Sequence, residues 1–281
     1  MRGVLGALQW RATQTAPLLQ ADLSMLLSKV TSSTVADLLQ CNSLYRQLLR
    51  TADVHLLIDG YAGQEVAFVT YTDASWGCRT DGSSQLGYLV NLAPVSYLNG
   101  DRAMLSPISW SSTKSQRICR SSLAAEIQAI AEGQDEQDFC RLVWLEIETG
   151  VTDLGDYVSG IRQVPGALVC DCKSFYDAIN ARESSGLGMR DKGSAIETLA
   201  IRQSCLETET PVLWVHSDAQ LADGLTKGKV SFKLEEFYGP RSQVWRIIFD
   251  SQILSARRRK ALGLGPLEES LPESMKPETS A

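Results

Sequence analysis

The sequence predicts an α/β protein in which a five-stranded mixed sheet carries helices on its faces. Three β-rich segments follow one another closely, separated by polar turns, and this spacing indicates an antiparallel meander. A long helical segment and two short strands come next, and helical sequence separates those strands. Because strands joined through helices are typically parallel, the two short strands are expected to extend the meander into a mixed sheet.

The meander is predicted at residues 66–72, 86–92 and 103–110. The first segment, VAFVTYT, consists largely of β-branched and aromatic residues, which favour extended structure. Polar turns at residues 81–84 and 99–101 separate the three segments. We therefore expect three neighbouring antiparallel strands.

The long helix is predicted from Ser121 or Ser122, either of which can cap its first turn, to about residue 148. Leu123 and Ile127 begin an apolar face at helical spacing. The remaining elements are, in order, a strand at 167–170, a helix at 174–180, a helix at 196–206, a strand at 211–215 and a helix at 219–226. These elements complete the five strands of the predicted sheet.

Two regions flank the central domain, which is expected at residues 61–230. Residues 1–60 are predicted to be helical, with Thr34 as the cap of one helix. The face that this helix should bury consists of Val35, Leu38, Leu39, Tyr45, Leu48 and Leu49. Residues 231–281 form a C-terminal extension, and its end, from about residue 267, is rich in acidic and polar residues and in proline. We expect that end to be disordered.

The charge balance argues against a general nucleic-acid-binding protein. The 281-residue chain has 27 Lys and Arg against 33 Asp and Glu, a net charge of −6, whereas such proteins are usually basic. An acidic chain can still act on nucleic acid if its carboxylates hold metal ions, because the metal then supplies the positive charge that meets the phosphate.

The cysteines argue against a zinc site and favour an intracellular protein. Seven cysteines are scattered without paired metal spacing, and only His55 and His216 could assist them. The apolar N-terminal run is interrupted at Gln9 and Arg11, which is too early for a secretory signal. No apolar stretch reaches the roughly 18 residues that a membrane span needs. We expect reduced thiols and a location in a cytoplasmic particle or the nucleus.

Four acidic residues lie at or near the ends of the predicted elements. Asp73 and Asp171 follow the first and fourth strands. Glu126 lies one turn into the long helix, and Asp223 lies in the helix after the fifth strand. Sites in open α/β sheets form beyond the carboxyl ends of the strands, so these side chains can converge there. Taken singly, each acid is equally typical of a turn or a solvated helix face, and the prediction depends on the set.

Converging carboxylates repel one another unless cations occupy the site. Oxygen ligands suit Mg²⁺ or Mn²⁺, and two such ions can activate a water and stabilise the leaving oxygen of a phosphodiester. The predicted chemistry is therefore metal-dependent hydrolysis without a nucleophilic side chain.

Six motifs run through the central region in a fixed order. They are YTDASWG (71–77), GYLV (87–90), ISWSS (108–112), SSLAAEIQA (121–129), VCD (169–171) and QLADGLTK (220–227). Together they resemble the ribonuclease H domain of copia-type (Pseudoviridae-like) retrotransposon Pol polyproteins, over roughly residues 62–230.

This resemblance implies a ribonuclease H-like sheet and endonucleolytic hydrolysis of the RNA strand of RNA–DNA hybrids. It also implies that two ions, Mg²⁺ or Mn²⁺, are bound by a catalytic set consisting of Asp73, Glu126, Asp171 and Asp223.

The N-terminal segment LGALQWRATQT (5–15) resembles the link between reverse transcriptase and ribonuclease H in these polyproteins. Residues 1–60 would then be a remnant of that connection, and the polymerase part of the same polyprotein would be a partner.

The chain departs from the family at Ala124, where an acid is common, and at Cys172, where Asn is usual. The family's Lys-His-Ile-Asp segment is matched only loosely, at residues 190–192 and 196–197. None of these departures removes a metal ligand.

A polar, basic segment before the long helix is a candidate for binding the hybrid, although a solvated loop is an equally good interpretation. Its side chains can contact backbone phosphates or a 2′-hydroxyl in the minor groove. The candidate substrate-binding residues are Lys114, Gln116, Arg117, Arg120, Ser121, Ser122 and, after the fifth strand, His216. His216 can otherwise be a half-exposed residue at a strand end. Trp76 is expected to pack near the site, and the basic run at 257–260 to form a solvated helix face.

Two other functions stay open at this point. A catalytically silent remnant of a retrotransposon polyprotein, which binds nucleic acid weakly at most, fits the acidic charge and Cys172. An integrase needs two Asp and one Glu, for which Asp73, Asp171 and Glu207 are the nearest trio, but this leaves the motif around Asp223 unexplained. The complete carboxylate set favours an active hybrid-specific ribonuclease.

Overall fold

The computed structural model describes residues 1–61, 63–150, 153–181, 189–227, 232–248, 253–254 and 256–265. The strands are β1 (Val66–Ser75), β2 (Gln85–Pro94), β3 (Ala103–Met104), β4 (Ser106–Lys114), β5 (Gly166–Cys170), β6 (Val212–Trp214) and β7 (Val244–Trp245). The α-helices are α1 (Arg2–Gln14), α2 (Gln20–Leu27), α3 (Val35–Arg50), α4 (Ser122–Thr149), α5 (Tyr157–Arg162), α6 (Lys173–Ile179), α7 (Lys192–Glu207), α8 (Asp223–Thr226), α9 (Phe232–Tyr238) and α10 (Ala256–Ala261). The disorder predicted from residue 267 lies outside the described residues.

Five strands form one mixed sheet in the order β4-β2-β1-β5-β6. Strand β2 is antiparallel to β1 and β4, whereas β5 is parallel to β1 and β6. The predicted α/β fold class is confirmed: a five-stranded mixed sheet with a three-stranded meander, two parallel strands and flanking helices. Parallel pairing of β1 with β5 places the carboxyl ends of these two strands side by side.

The third predicted strand is divided in the structure. Residues 103–110 were expected as one strand, but Leu105 leaves the main sheet and its N–H donates to the carbonyl of Gln243 at 2.9 Å. The side-chain amide of Gln243 donates back to the Leu105 carbonyl at 2.8 Å. As a result β3 pairs with β7 in a separate two-stranded sheet, and β4 begins at Ser106.

Helix α4 crosses one face of the sheet at close range. A Cβ built on Gly133 would lie 2.6 Å from Cγ2 of Thr72, so a larger residue there would push the helix away from β1. One turn later, the Gln137 amide donates to the Phe68 carbonyl at 3.1 Å and to the Ala167 carbonyl at 2.8 Å. These contacts fix α4 over β1 and β5, and with it Glu126 in its second turn.

Helix α3 buries a face different from the predicted one. Thr34 caps the helix as expected, accepting from the Asp37 N–H at 3.3 Å, and the Asp37 carboxylate accepts from the Thr34 N–H at 2.9 Å. Burial falls on Asp37, Cys41 and Leu44, and Leu48 packs against the same core. The rest of the predicted apolar face is exposed, at Val35, Leu38, Leu39, Tyr45 and Leu49. The prediction was wrong because the carboxylate of Asp37 has local partners, which allow a polar residue to lie on the packing face.

The N-terminal helices and the sheet share one hydrophobic core. Leu5 of α1 and Leu23 of α2 belong to the same buried cluster as Val69 and Tyr71 of β1. The intervening residues of β1, such as Thr70, point towards α4 on the opposite face. Helices therefore cover both faces of the sheet. The division of the chain at residues 60 and 230 stays a prediction.

The other elements follow the prediction with shifted limits. Helix α7 begins at Lys192, four residues before the predicted start at 196. The helix predicted at 219–226 is replaced by a 3₁₀ turn at Ser217–Ala219 and the short α8. Within the described ranges, every helix is too short or too polar to cross a bilayer.

Candidate metal centre

Asp73 lies near the carboxyl end of β1 and points towards α8. Gly87 is its partner on β2, and a Cβ built there would lie 2.8 Å from Cβ of Leu225 and 2.9 Å from Cγ2 of Thr226. The absent side chain of Gly87 thus lets α8 lie directly on the sheet. At this contact the Thr226 hydroxyl donates to Oδ2 of the Asp73 carboxylate.

Asp171 follows β5 directly, at the same edge of the sheet. Its carboxylate accepts a hydrogen bond from the Ser217 side chain, and its backbone carbonyl accepts from the Trp214 indole at 3.0 Å. The first of these contacts connects Asp171 to the turn after β6. The site is therefore built where the parallel strands end, as expected for an open α/β sheet.

Asp223 is the first residue of α8, and Gln220 positions the chain that leads to it. The Gln220 side chain donates to the Thr72 carbonyl at 3.0 Å and accepts from the Ala222 N–H at 3.1 Å. The Asp223 carboxylate is itself bound by two ammonium groups, from Lys227 at Oδ1 and from Lys233 at Oδ2.

Three of the four predicted acids meet at this edge. One carboxylate oxygen each from Asp73, Asp171 and Asp223 lies within 4.8 Å of the others. Asp73 and Asp223 are buried, and Asp171 is partly buried. Within the part of the chain that the structure describes, these three residues form the group with metal-ligand geometry.

Glu126 approaches the same edge from α4 but stands outside this group of three. Burial, and then the charges of Asp73, Asp171 and Asp223, raise the pKa of its carboxyl well above the usual range. Its Oε2 is buried without a hydrogen-bond partner. A buried carboxylate oxygen that no protein group satisfies fits a cation ligand.

The electrostatics of the cluster are unfavourable for ionised carboxylates alone. Burial raises the pKa of Asp73 to about 7, with further contributions from the negative charges of Asp223 and Asp171. Burial and the charge of Asp223 also raise the pKa of Asp171. The side chains of Lys227 and Thr226 act in the opposite direction on Asp73. Divalent cations would relieve this repulsion, and an all-oxygen donor set suits Mg²⁺ or Mn²⁺.

The integrase trio is not assembled. Glu207, at the end of α7, is exposed, and its Oε1 accepts from the Gln203 side chain at 2.9 Å. Asp73 and Asp171 lie instead with Asp223, which the integrase interpretation left unexplained.

The candidate substrate-binding segment is largely exposed and leads into α4. Gln116 and Ser122 are exposed, and Ser121 is the N-cap of α4, accepting from the Ala124 N–H at 3.1 Å. The basic residues of the segment form ion pairs: Lys114 with Asp81, Arg117 with Glu197, and Arg120 with Asp191. Their role in binding nucleic acid stays a prediction.

Two aromatic residues differ from expectation in their exposure. His216 is 1% exposed, not half-exposed, and its Nδ1 accepts from the Asp218 N–H at 3.2 Å. Because the imidazole is enclosed, contact with a substrate would require the turn after β6 to move. Trp76 is 53% exposed, although its indole donates to the Cys119 carbonyl at 2.8 Å.

Several residues of the site were missed from the sequence. Lys227 lies four residues after Asp223, so helical spacing could have identified it as a partner. Gly87 begins the GYLV motif, but its role as the close contact for α8 was not predicted. Lys233 and Ser217 carry no comparable signal, because tertiary packing alone brings them to the carboxylates.

In comparisons with curated proteins, the chain is 29% identical over 229 residues to the retrovirus-related Pol polyprotein from transposon RE1 of Arabidopsis thaliana. It is 30% identical over 237 residues to the corresponding polyprotein from transposon RE2 of the same plant. The chain is homologous to a segment of these transposon Pol polyproteins. The alignments cover 80% and 83% of this chain but 14% of the length of each relative. The predicted relationship to retrotransposon Pol polyproteins is thereby confirmed.

No family model matches this Pol-related chain. Among solved structures, ribonuclease H1 of Halobacterium salinarum overlaps 57% of the chain and 94% of its own, at 12% identity and a TM-score of 0.35. Prototype foamy virus protease–reverse transcriptase overlaps 60% of the chain and 21% of its own, at 13% identity and a TM-score of 0.32. The assignment of the fold rests on the strand order of the sheet and on the strand register.

Proposed function

We propose that the chain is a ribonuclease H that cuts the RNA strand of RNA–DNA hybrids internally and depends on Mg²⁺ or Mn²⁺. The observation that carries the proposal is the meeting of Asp73, Asp171 and Asp223, within 4.8 Å, at the edge where β1 and β5 end. The homology to transposon Pol polyproteins supports it, since the motifs around these acids resemble the ribonuclease H domain of such polyproteins.

Asp73, Asp171, Asp223 and Glu126 would hold two divalent ions. Such ions supply an activated water and stabilise the oxygen that leaves the phosphodiester. The chain's own contribution is to keep the carboxylates fixed: Thr226 orients Asp73, Ser217 orients Asp171, and α4 carries Glu126. Ions held by fixed oxygen ligands would in turn position the phosphodiester, so the reaction needs no nucleophilic side chain.

The segment from Lys114 to Ser122 is proposed to contact the hybrid. Its exposed basic side chains would bind backbone phosphates, and its ion pairs with Asp81, Glu197 and Asp191 are weak enough at the surface to be exchanged for phosphate. The polymerase part of a longer polyprotein is the proposed protein partner.

The test is cleavage of a labelled RNA–DNA hybrid by the purified chain, with Mg²⁺, Mn²⁺ or chelator. Single-stranded RNA and duplex DNA are the controls. We expect metal-dependent loss of RNA from the hybrid alone. Asp171→Asn should abolish cutting while preserving the fold, because it removes a ligand charge with little change in shape.

Two results would contradict the proposal. Cutting that survives Asp171→Asn would exclude the carboxylate cluster as its source. A folded chain that binds Mn²⁺ but cuts no hybrid would be a silent remnant of a Pol polyprotein, which is the alternative function.

A further inference from the structure

Both oxygens of the Asp223 carboxylate are engaged by lysines. Lys227 donates to Oδ1 from the same helical turn, and Lys233 donates to Oδ2 from α9. The Asp223 side chain is 8% exposed, so these ion pairs are shielded from solvent at the acid. A divalent ion that takes Asp223 as a ligand therefore competes with two ammonium groups for the same oxygens.

The two lysines differ in how firmly they are held. The side chain of Lys227 is 55% exposed, whereas that of Lys233 is 19% exposed and also donates to the Ser217 carbonyl. Ser217 is the residue whose side chain binds Asp171. Lys233 thus connects Asp223 to the turn that supports Asp171, while Lys227 stands nearer the solvent.

The charge of Lys227 also acts on the other acids of the cluster. Its ammonium favours the ionised form of Asp73, Asp171 and Glu126, each of which is otherwise disfavoured by burial. A positive charge placed among these carboxylates does part of what a metal ion would do. The lysines and a divalent ion would therefore do the same two things: both would contact the Asp223 oxygens, and both would supply positive charge to the cluster.

We propose that Lys227 and Lys233 form a displaceable cation clamp on Asp223: they hold this ligand beside Asp73 and Asp171, and a divalent ion binds by replacing them. The lysines are positioning residues that set the metal affinity of the site. The inference rests on the metal site of the proposed function, and it assigns to the two lysines a role that the carboxylates alone do not require.

The test is Mn²⁺ binding to the full chain by calorimetry, without substrate. Lys227→Met and Lys233→Met should each bind Mn²⁺ more tightly, by roughly tenfold, since a competing ion pair worth about 1.4 kcal/mol corresponds to that factor. Lys227→Arg keeps the charge and should bind like the unaltered chain. The matched control is Lys29→Met, which removes a lysine from the Asp37 carboxylate at 3.1 Å and should leave the Mn²⁺ affinity unchanged.

A second readout separates a clamp from an ordinary structural role. In chelator, the Met variants should unfold at lower temperature, because Asp223 loses its partners. On adding Mn²⁺ they should gain more stability than the unaltered chain, since a tighter ligand stabilises the folded state more. A purely structural lysine would lower the unfolding temperature in both conditions by the same amount.

The outcomes distinguish the two proposals. If the unaltered chain binds no Mn²⁺, the metal site itself is wrong. If it binds Mn²⁺ and Lys227→Met binds no more tightly, the clamp is wrong and the metal site stands. Lys227 is the more exposed of the pair, so its variant decides the question should Lys233→Met fail to fold.

Discussion

Two buried charged clusters in this molecule are compensated in opposite ways. Arg141 of α4 is 0% exposed, and its guanidinium donates to the Val164 and Thr208 carbonyls at 2.6 and 3.0 Å. It also donates to the Thr210 hydroxyl at 2.7 Å and to the Asp138 carboxylate at 3.2 Å. The carboxylate cluster instead brings like charges together, has its two lysines on Asp223, and leaves Oε2 of Glu126 without a partner.

The difference separates a buried charge with a structural role from buried charges that form a candidate site. The Arg141 cluster joins α4 to the chain segments before β5 and β6, and protein groups satisfy its donors. In the carboxylate cluster, Oε2 of Glu126 has no protein partner, and a bound cation would satisfy it. Burial of charge is common to both clusters, so unsatisfied charge is the feature that points to function.

The largest effect on the free energy of unfolding is expected in the cluster around Arg141. Arg141→Met leaves Asp138 and two buried carbonyls without their donor, and breaking such a buried pair costs about 3–5 kcal/mol. Urea unfolding measures this loss. Lys173→Met, at the exposed pair with Asp177, is the control and should change stability by less than about 0.5 kcal/mol. Similar values for the two variants would contradict the comparison.

The next effect concerns the pH dependence of the carboxylate cluster, which the two lysines compensate only in part. The folded-state pKa of Asp73 is raised to about 7 from 3.8, so the folded chain retains a proton that the unfolded chain loses. In chelator, stability should therefore fall as pH rises from about 4 to about 7, because the folded state holds a proton that the unfolded state has already released. Asp73→Asn should remove this part of the decline.

The fall in stability assigned to Asp73 can be separated from that of other buried acids and then tested with Mn²⁺. Asp138, whose pKa burial raises to about 6, contributes a decline of the same sign between pH 4 and 6 in every variant. The informative quantity is thus the difference between Asp73→Asn and the unaltered chain. Mn²⁺ should shrink that difference at pH 7. A difference that is flat across pH 4–7 would overturn the electrostatic account.

A third prediction uses one glycine from each cluster. Gly87→Ala would place a Cβ 2.8 Å from Leu225, and Gly166→Ala one 3.0 Å from Oε1 of Gln137 and 3.1 Å from the Arg141 guanidinium carbon. Each should lower stability by about 1–3 kcal/mol through overpacking. Only Gly87→Ala moves α8, so it alone should weaken Mn²⁺ binding. Equal Mn²⁺ affinities would show that α8 does not position Asp223.

The smallest effect is expected on the exposed segment beside the site. Arg120 lies 3.8 Å from Asp191 with its side chain 78% exposed, so Arg120→Gln should change stability by less than about 0.5 kcal/mol. If Arg120 binds phosphate, the salt dependence of hybrid binding in chelator should lose about one unit of slope. Fluorescence anisotropy of a labelled hybrid measures this salt dependence. An unchanged slope would show that Arg120 does not contact the hybrid.

The fold was predictable because its signals are local. β-Branched and aromatic sequence marked β1, a polar turn preceded β2, and Ser121, one of two predicted caps, marked the start of α4. The division at Leu105 was not predictable, since it depends on Gln243, 138 residues away along the chain. The buried face of α3 was misjudged because apolar content suggested one stripe, whereas satisfied polar groups allowed another to pack.

The sequence predicted the acids of the candidate site but not the residues that contact and position them. Asp73, Asp171 and Asp223 stand at the ends of elements, where sequence order and strand direction indicate convergence. Ser217 and Lys233 meet these acids only through tertiary packing, and neither lies in a pattern that chemistry alone would mark. The buried state of His216 was likewise hidden, because its enclosure depends on the turn after β6.

The contact between Thr226 and Asp73 spans 153 residues, and that between Gln220 and Thr72 spans 148. By contrast, β1 and β2 meet within a short hairpin. The hairpin is synthesised before α8, so the sheet can begin to fold while the carboxylate cluster still lacks Asp223. A chain truncated before residue 220 would retain most of the sheet and lack Asp223 altogether. The carboxylate cluster is therefore completed later in synthesis than the sheet that carries it.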